Sequence, residues 1–471
     1  MKKVMTVLMI ISLLFGLIGC DLTLNPNTKG ENIEPFERLF DDSRVKTLRV
    51  IITEEKWQEL DTAMIDYFVR WGHYRTDYMV EADLEFEDDL GKVTIERIGF
   101  RTRGNTSRDR IQNDQGEPQL QHFKLSFHED YTEDIAKRTA FELEEIDLKF
   151  NHNYDETYLT EKFSLDLMRS FGVHAAHTTL VKLLITIGDD TYDYGIYTAF
   201  EPIDDNFIKR RFSKAESDGN LYKSLWQNFG PANLGPITNQ RAIGIKNEST
   251  NYRPTYDLKT NKFEEDYRNL ESLIDNLNSL SGDDLTNYMK DNFEIDLFLR
   301  YLAISALLGN PDDYRAMANN YFLYQNSESQ KWMVIPYDYD HGMGQGWNGE
   351  GLFNNWSIGF DIYDWANVNA KLTGNPNYPH ILVDHLLSVP EFQLTYETYL
   401  AELINPVNTF FTVDAFMALY NAQKTLYDGS QASSIMNMPF GLREVIAYIQ
   451  DKTTDIQSQL TYYQTNPTER G

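Results

Sequence analysis

The sequence predicts an α+β fold in two lobes, the first rich in β-strand and the second mainly helical. Three observations carry this. Residues 48–127 repeatedly alternate apolar and polar side chains at period two, the mark of half-buried strands. From Phe263 onward helical periodicity takes over. Within the helical part, two acidic, Asn-rich segments flank two short apolar runs. The first is Gly309-Asn310-Pro311-Asp312-Asp313-Tyr314 on to Asn319-Asn320, and the second is Pro336-Tyr337-Asp338-Tyr339-Asp340-His341-Gly342. At 471 residues the chain exceeds one ordinary domain.

The elements follow in order. Residues 1–19 read as a lipoprotein signal peptide. Lys2 and Lys3 precede an apolar run, Val4 to Ile18, that is too short to span a bilayer comfortably. It ends on Leu17-Ile18-Gly19-Cys20, which resembles the bacterial lipobox. Cys20 is then the expected lipidation site, and as the only Cys it leaves no intramolecular disulfide. The expected location is the outer face of a bacterial cytoplasmic membrane, held by acyl chains. Residues 20–43 read as a flexible tether, residues 44–200 as the β-rich lobe and residues 201–465 as the helical lobe.

Leu48–Ile52 is an expected strand, and Glu54–Leu60 a short helix with Thr53 as N-cap. Val80, Ala82, Leu84 and Phe86 alternate with acids. Val93–Arg103 continues as a strand with Arg101 and Arg103 on one face, and His122–Phe127 and Glu145–Phe150 are further strands. Leu159, Phe163, Leu167 and Phe171 mark a helix over Thr157–Phe171, stopped by Gly172. Leu180–Ile187 and Tyr192–Phe200 form a hairpin. Residues 226–256, rich in Asn, Pro and Gly, are an excursion from the lobe. Phe293–Leu308 is apolar nearly all round and reads as a buried helix stopped by Gly309-Asn310. Tyr321–Tyr324 and Trp332–Ile335 form the hairpin between the acidic segments. The Gly-rich run Gly342–Gly351 lacks the Lys-Ser/Thr pair of a phosphate loop and fits a mobile activation-type segment.

The formal net charge of −29 argues against a nucleic-acid partner and suits basic proteins and divalent cations. Protein kinases place a catalytic base, a metal-binding Asn and a metal-binding Asp in the order that Asp312, Asn320 and Asp338 follow here. Asp338 and Asp340, two apart on an extended chain, share one side and suit Mg²⁺ or Mn²⁺. The same motif also occurs as a solvated turn. Asp312 is the candidate general base, with Asp313 competing. Asn319 or Asn320 is the second oxygen ligand. Lys124 or Lys149 would reach phosphates, with Glu161 holding that Lys as a kinase ion pair does. Arg103 and Gly104-Asn105-Thr106 have the donors and the flexible Gly of a phosphate-gripping turn, which a plain surface loop also has. His174 and His177 are read as structural, not as a zinc pair.

Several stretches resemble, in order, the CotH spore-coat kinase family of secreted atypical protein kinases. They are Arg101-Thr102-Arg103-Gly104-Asn105-Thr106-Ser107-Arg108; His122–Phe127; Thr160-Glu161-Lys162-Phe163; Tyr194-Gly195-Ile196-Tyr197 with Glu201; Gly219–Lys223; Asn319–Tyr324; and Pro336–Asp340. Tyr337 stands where the family usually has Trp, and Ser126 where a Lys is common. The resemblance implies a bilobal, atypical protein-kinase-like fold, ATP with Mg²⁺ or Mn²⁺ as cofactors, and Asn320 as the ligand among the two Asn. It places Glu201 in the hinge of the nucleotide site. The implied acceptors are Ser/Thr of basic, Ser-rich surface or coat proteins. A catalytically silent adhesin and a kinase for a glycan or small molecule are the competing functions, the excursion 226–256 shaping a pocket in the latter.

Overall fold

The structure, a computed structural model, describes residues 35–129, 131, 135–346, 354–364, 380–430 and 438–470. Cys20, the signal peptide and most of the expected tether lie outside these residues, as do Gly349 and Gly351. Seven strands close into a barrel in the order β1-β2-β3-β4-β5-β7-β6. They are β1 (Thr47–Ile52), β2 (Val80–Asp88), β3 (Gly91–Arg103), β4 (His122–Ser126), β5 (Glu145–Phe150), β6 (Thr178–Ile187) and β7 (Asp190–Phe200). Neighbours are antiparallel except at the seam, where β1 and β6 run parallel with Thr47 beside Lys182.

The period-two pattern sends Leu48, Val50, Leu84, Phe86, Phe123, Leu125, Ile146 and Leu148 into one core. In β3 the pattern slips: Ile95 and Ile98, three apart, are both buried. A bulge opposite Ala82/Leu84 takes up the extra residue, with Arg97 at φ 59 and its N–H donating to Asp83 Oδ1 at 2.7 Å. Beyond the bulge, Phe100 and Thr102 are buried while Arg101 and Arg103 take the alternate face. Lys124 of β4 and Glu145, Asp147 and Lys149 of β5 have the same parity in the paired register, so this stretch of sheet carries a ladder of charges.

Two helices differ from expectation. α1 (Phe36–Phe40) occupies part of the expected tether, because Phe36 and Leu39 bury their side chains. α2 begins at Glu54 with Thr53 capping Lys56 N–H, but runs on to Trp71. Met64 continues the buried stripe of Trp57, Leu60 and Asp61, and Gly72 at φ 78 ends it.

A second sheet, order β12-β11-β8-β10-β9, comprises β8 (Leu221–Ser224), β9 (Ile243–Gly244), β10 (Tyr256–Leu258), β11 (Tyr321–Gln325) and β12 (Trp332–Pro336). The excursion thus contributes β9 at the sheet edge and delivers the chain into β10. The helices are α3 (Thr160–Ser170), α4 (Asp205–Arg211), α5 (Arg268–Ser279), α6 (Gly282–Asn292), α7 (Ile295–Leu308), α8 (Tyr314–Met317), α9 (Ile381–Leu386), α10 (Pro390–Ile404), α11 (Val413–Tyr427) and α12 (Val445–Thr465). α7 is buried on nearly every side, as its composition predicts. Gly309 ends it at φ 58, where a Cβ would also lie 2.3 Å from Ser357 Oγ.

α11 fastens the barrel seam from outside. The Tyr427 hydroxyl donates to Leu180 O at 2.6 Å and accepts from Lys46 N–H at 3.0 Å, and Gln423 Nε2 donates to Asp42 O at 2.9 Å. Among the described residues no helix is long and apolar enough to cross a membrane.

Candidate active site

The two acidic segments meet because α7 and the β11–β12 hairpin deliver them to one place. Tyr321 pairs with Pro336, so Asn320 and Tyr337 emerge side by side. Three residues near the junction, Ala318, Asn320 and Asp338, adopt left-handed φ of 53, 50 and 62°. This geometry is costly for residues other than Gly and must be imposed by the surroundings. Asn310 supplies part of that constraint. Fully buried, it accepts from Asp312 N–H at 3.0 Å and donates to Asp338 O at 3.0 Å, tying the segments together.

Asp312 receives two amides. Asn319 Nδ2 donates to Oδ1 at 2.8 Å, and Asn320 Nδ2 donates to Oδ2 at 2.8 Å and to Asp312 O at 3.0 Å. Burial raises the Asp312 pKa. The Asp338 and Asp340 carboxylates add to that rise, and Asn319 and His341 oppose it. The two Asn differ in their oxygens: Asn319 Oδ1 is taken by Trp226 N–H at 2.7 Å, and Asn320 Oδ1 has no hydrogen-bond partner among the described residues. Asn320 is therefore the one with an oxygen to give. Asp313 points the other way. Its fully buried carboxylate caps α8 by accepting from Ala316 N–H at 2.9 Å and from Tyr339 OH at 3.2 Å, and burial pushes its pKa to about 6. As a sealed cap it cannot meet a substrate, which corrects its candidacy as a base.

Across from Asp312, Lys149 of β5 sits among three carboxylates. Its Nζ is 2.7 Å from Glu161 on α3, 2.6 Å from Asp338 and 3.2 Å from Asp340. Oxygens of these three acids lie within 4.8 Å of one another. Burial works against the Lys149 charge, but Asp338, Asp340 and Glu161 outweigh it and hold the ammonium well above its ordinary pKa. Burial raises Glu161, and repulsion by Asp340 and Asp338 adds to it against the pull of Lys149. Asp338 is held low despite burial, by Lys149 first and then Arg103. The three carboxylates offer hard oxygen donors close together, which fits Mg²⁺ or Mn²⁺.

A narrow cleft with about 350 Å³ of empty space, part of it open to solvent, lies on one side of Lys149. Leu165, Ala176, Phe200 and Ile203 form apolar walls, and Arg103, Glu161 and Asp338 a charged end. The remaining expected residues stand further out. Arg103 donates to Tyr337 OH at 2.7 Å and pairs with Asp147 at 3.3 Å. Lys124 is taken up by Glu145 and by Asp147 at 3.1 Å, which leaves Lys149 as the cation at the centre. Asn105 accepts from Arg75 and contacts none of the central carboxylates. Glu201 lines the cavity, yet its carboxylate is closed off by Arg210 at 2.8 Å, Arg211 at 2.7 Å and His177 at 3.0 Å, and its pKa falls to about 2 despite burial. It braces α4 against the start of β6 and is not placed to hold a cofactor. His177 is thereby structural, and His174 meets Phe212 edge to face. Two residues escaped the sequence reading of the site. Asn310 looks only like a helix stop. His341, whose Nε2 is 3.6 Å from Asp340 Oδ1, was marked solely by its neighbours.

The model of a family described as CotH kinase protein matches residues 100–460. Inner spore coat protein H of Bacillus subtilis (strain 168) is 23% identical over 301 residues, 63% of this chain and 72% of that protein. Among solved structures, the Helicobacter pylori proinflammatory kinase CtkA aligns over 69% of this chain and 91% of its own at 13% identity. The TM-score is 0.27, too low to support an argument about fold.

Proposed function

The chain belongs to the CotH kinase protein family, and from that premise we propose that it is an exported, ATP-dependent protein kinase acting on Ser/Thr of surface or coat proteins. The observation that carries the reading is the Lys149 ammonium bracketed by Glu161 and Asp338, with Asp312 held by Asn320 on the facing segment. In this reading the barrel and the helical part are the two lobes of an atypical kinase, with nucleotide between them. The apolar walls around Phe200 and Ile203 accept the base, and Lys149 turns from the carboxylates to the phosphates. Arg103, fixed by Tyr337 and Asp147, presents charge at the cavity end. Asp338, Asp340 and Asn320 would hold Mg²⁺ or Mn²⁺, which when bound neutralises phosphate charge. Asp312, raised by burial, takes the proton of the attacking hydroxyl. Lipid attachment at Cys20 would keep the enzyme at a membrane surface, and the net charge of −29 favours basic, Ser-rich acceptors over nucleic acid.

The test is transfer of labelled phosphate from ATP to a basic protein with Mg²⁺ or Mn²⁺. The wild type is run beside Asp312→Ala and Asp338→Ala. Label in the wild type that disappears in both variants is expected. Label persisting in both variants would overturn the assignment of the site, and absence of both transfer and metal-dependent ATP binding would overturn the kinase reading in favour of a surface adhesin.

A further inference from the structure

Acidic residues outnumber Lys and Arg by 72 to 43 in this chain, so a cluster of arginines without acidic partners is unexpected. One such cluster is linked to the cleft through Arg103, which lines it. Arg75 follows α2, Arg108 lies in the loop after β3, and Arg253 lies near the end of the excursion. None of the three forms an ion pair among the described residues. Their partners are neutral oxygens: Arg75 donates to Asn105 Oδ1, Arg108 to Thr76 O, and Arg253 to Arg75 O at 2.8 Å and Asn251 Oδ1 at 3.2 Å. Nε of Arg75 and of Arg108 is buried without any partner, as is Nε of the neighbouring Arg101. Arg108 is only 9% exposed.

The nearby acids are already engaged. Asp77 is shared by Arg101, at 3.3 Å, and Lys246, while Glu248 accepts from Thr76 OH and Asp77 N–H. The guanidiniums press on one another. Burial and then Arg101 lower Arg108 to about 9 against the pull of Asp77, with Arg253 adding to the fall, and burial and then Arg253 lower Arg75. Burial, Arg75 and Arg253 hold His73 down to about 4, which keeps it neutral. Buried like charges with spare N–H donors call for an anion, and guanidinium forks match phosphate oxygens two at a time. Arg103 links this cluster to the cleft. It touches Tyr337 and Asp147 on one side, and its charge acts on Arg108 on the other.

We propose that Arg75, Arg108 and Arg253 form an anion subsite that receives a phosphorylated side chain of the acceptor, so that the preferred substrate already carries a phosphate near the hydroxyl to be modified. This rests on the kinase reading and narrows it. The bulk of the acceptor matches the acidic surface, while the subsite reads one local phosphate. An earlier phosphotransfer, by this enzyme or another, must supply it.

The experiment is calorimetric titration, without ATP, of a phosphoserine peptide in a Gly/Ser context and of inorganic phosphate. Wild type, Arg253→Gln, Arg75→Gln and Arg253→Lys are compared, using variants whose unfolding midpoint without ligand matches the wild type. Each Gln variant is expected to weaken peptide and phosphate binding by about tenfold or more, the loss of a charge-assisted hydrogen bond. Arg253→Lys is expected to fall between, and ATP affinity is expected to stay unchanged. No peptide binding by the wild type, or binding indifferent to all variants, overturns the proposal. An equal loss of ATP affinity also overturns it, by assigning the cluster to the nucleotide phosphates. Because binding is read without turnover, a wild type that binds the phosphopeptide yet transfers nothing from ATP counts against the kinase reading and leaves the anion subsite standing.

Discussion

Replacing Lys149 with Met leaves Glu161, Asp338 and Asp340, with oxygens within 4.8 Å of one another, without the ammonium that touches all three. At an effective dielectric of about 20, two carboxylates at that separation repel by about 3 kcal/mol. The cluster sheds charge when repulsion exceeds the cost of protonating one member. Near pH 7.5 that cost is about 4 kcal/mol for a carboxyl of ordinary pKa, which sets a ceiling. Asp338 and Asp340 side chains are 32% and 22% exposed, so screening brings the expected destabilisation to about 2–3 kcal/mol. The pH dependence has a definite sign. A carboxyl raised in the folded state binds a proton that the unfolded chain releases, so stability falls as pH rises from the ordinary carboxylate range through the raised value. The gap between wild type and Lys149→Met is therefore widest above about pH 7 and shrinks to about 1 kcal/mol or less near pH 5. Urea unfolding followed by circular dichroism across that range measures it, and millimolar Mn²⁺ is expected to narrow the gap at the alkaline end. A penalty of equal size at both ends, or none at the alkaline end, would rule out crowding of the three acids as its cause.

Asp312→Asn is expected to lower phosphate transfer by about 10²–10⁴, while Asp313→Asn, which can still cap α8, leaves transfer close to wild type. Asp313, raised to about 6, contributes stability that is full below its unfolded range and lost as pH rises through about 6. The stability of wild type relative to Asp313→Asn should therefore drop by up to about 3 kcal/mol between about pH 4 and 7 in urea titrations. Asn310→Ala strips one bond from each acidic segment and should cost about 2–4 kcal/mol in unfolding free energy, together with loss of transfer activity. Glu201→Gln should destabilise by about 3–5 kcal/mol at neutral pH through its unpaired arginines while ATP affinity in calorimetry is unchanged. Because Glu201 is depressed to about 2, that stability gap is full above the ordinary Glu range and closes as pH falls through about 2.

Where local pattern decides, the sequence was readable. The alternation in Val80–Phe86 yields β2, the i, i+4 apolar residues yield α3, and the all-apolar Phe293–Leu308 yields α7 within two residues. Closure of the barrel was not readable, since it depends on Thr47 lying beside Lys182, a pairing that no local signal announces. α2 outran its expected end because exposed Val69 and Phe68 blur the stripe that Met64 continues. At the site, residue types and order were legible but directions were not. Lys124 and Lys149 share one sheet parity, and only the placement of α3 gives Glu161 to Lys149. Asp312 and Asp313 are neighbours in a turn, where one step of backbone separates a carboxylate beside the cleft from a buried cap. Asn319 and Asn320 both donate to Asp312, and it is Trp226, arriving from the distant excursion, that occupies the Asn319 oxygen.

The latch on the barrel seam has a consequence for how the chain comes to be folded. Tyr427 joins backbone groups of Lys46 and Leu180, 381 and 247 residues away in sequence. A growing chain therefore lacks these side-chain ties across the parallel junction of β1 and β6 until α11 has been made. The first two hundred residues, although they contain every barrel strand, should remain open to proteases as a fragment and become resistant only once the closing helix is present. Maturation of this protein is then expected to depend on its last hundred residues, a shortened product being cleared before its barrel is latched.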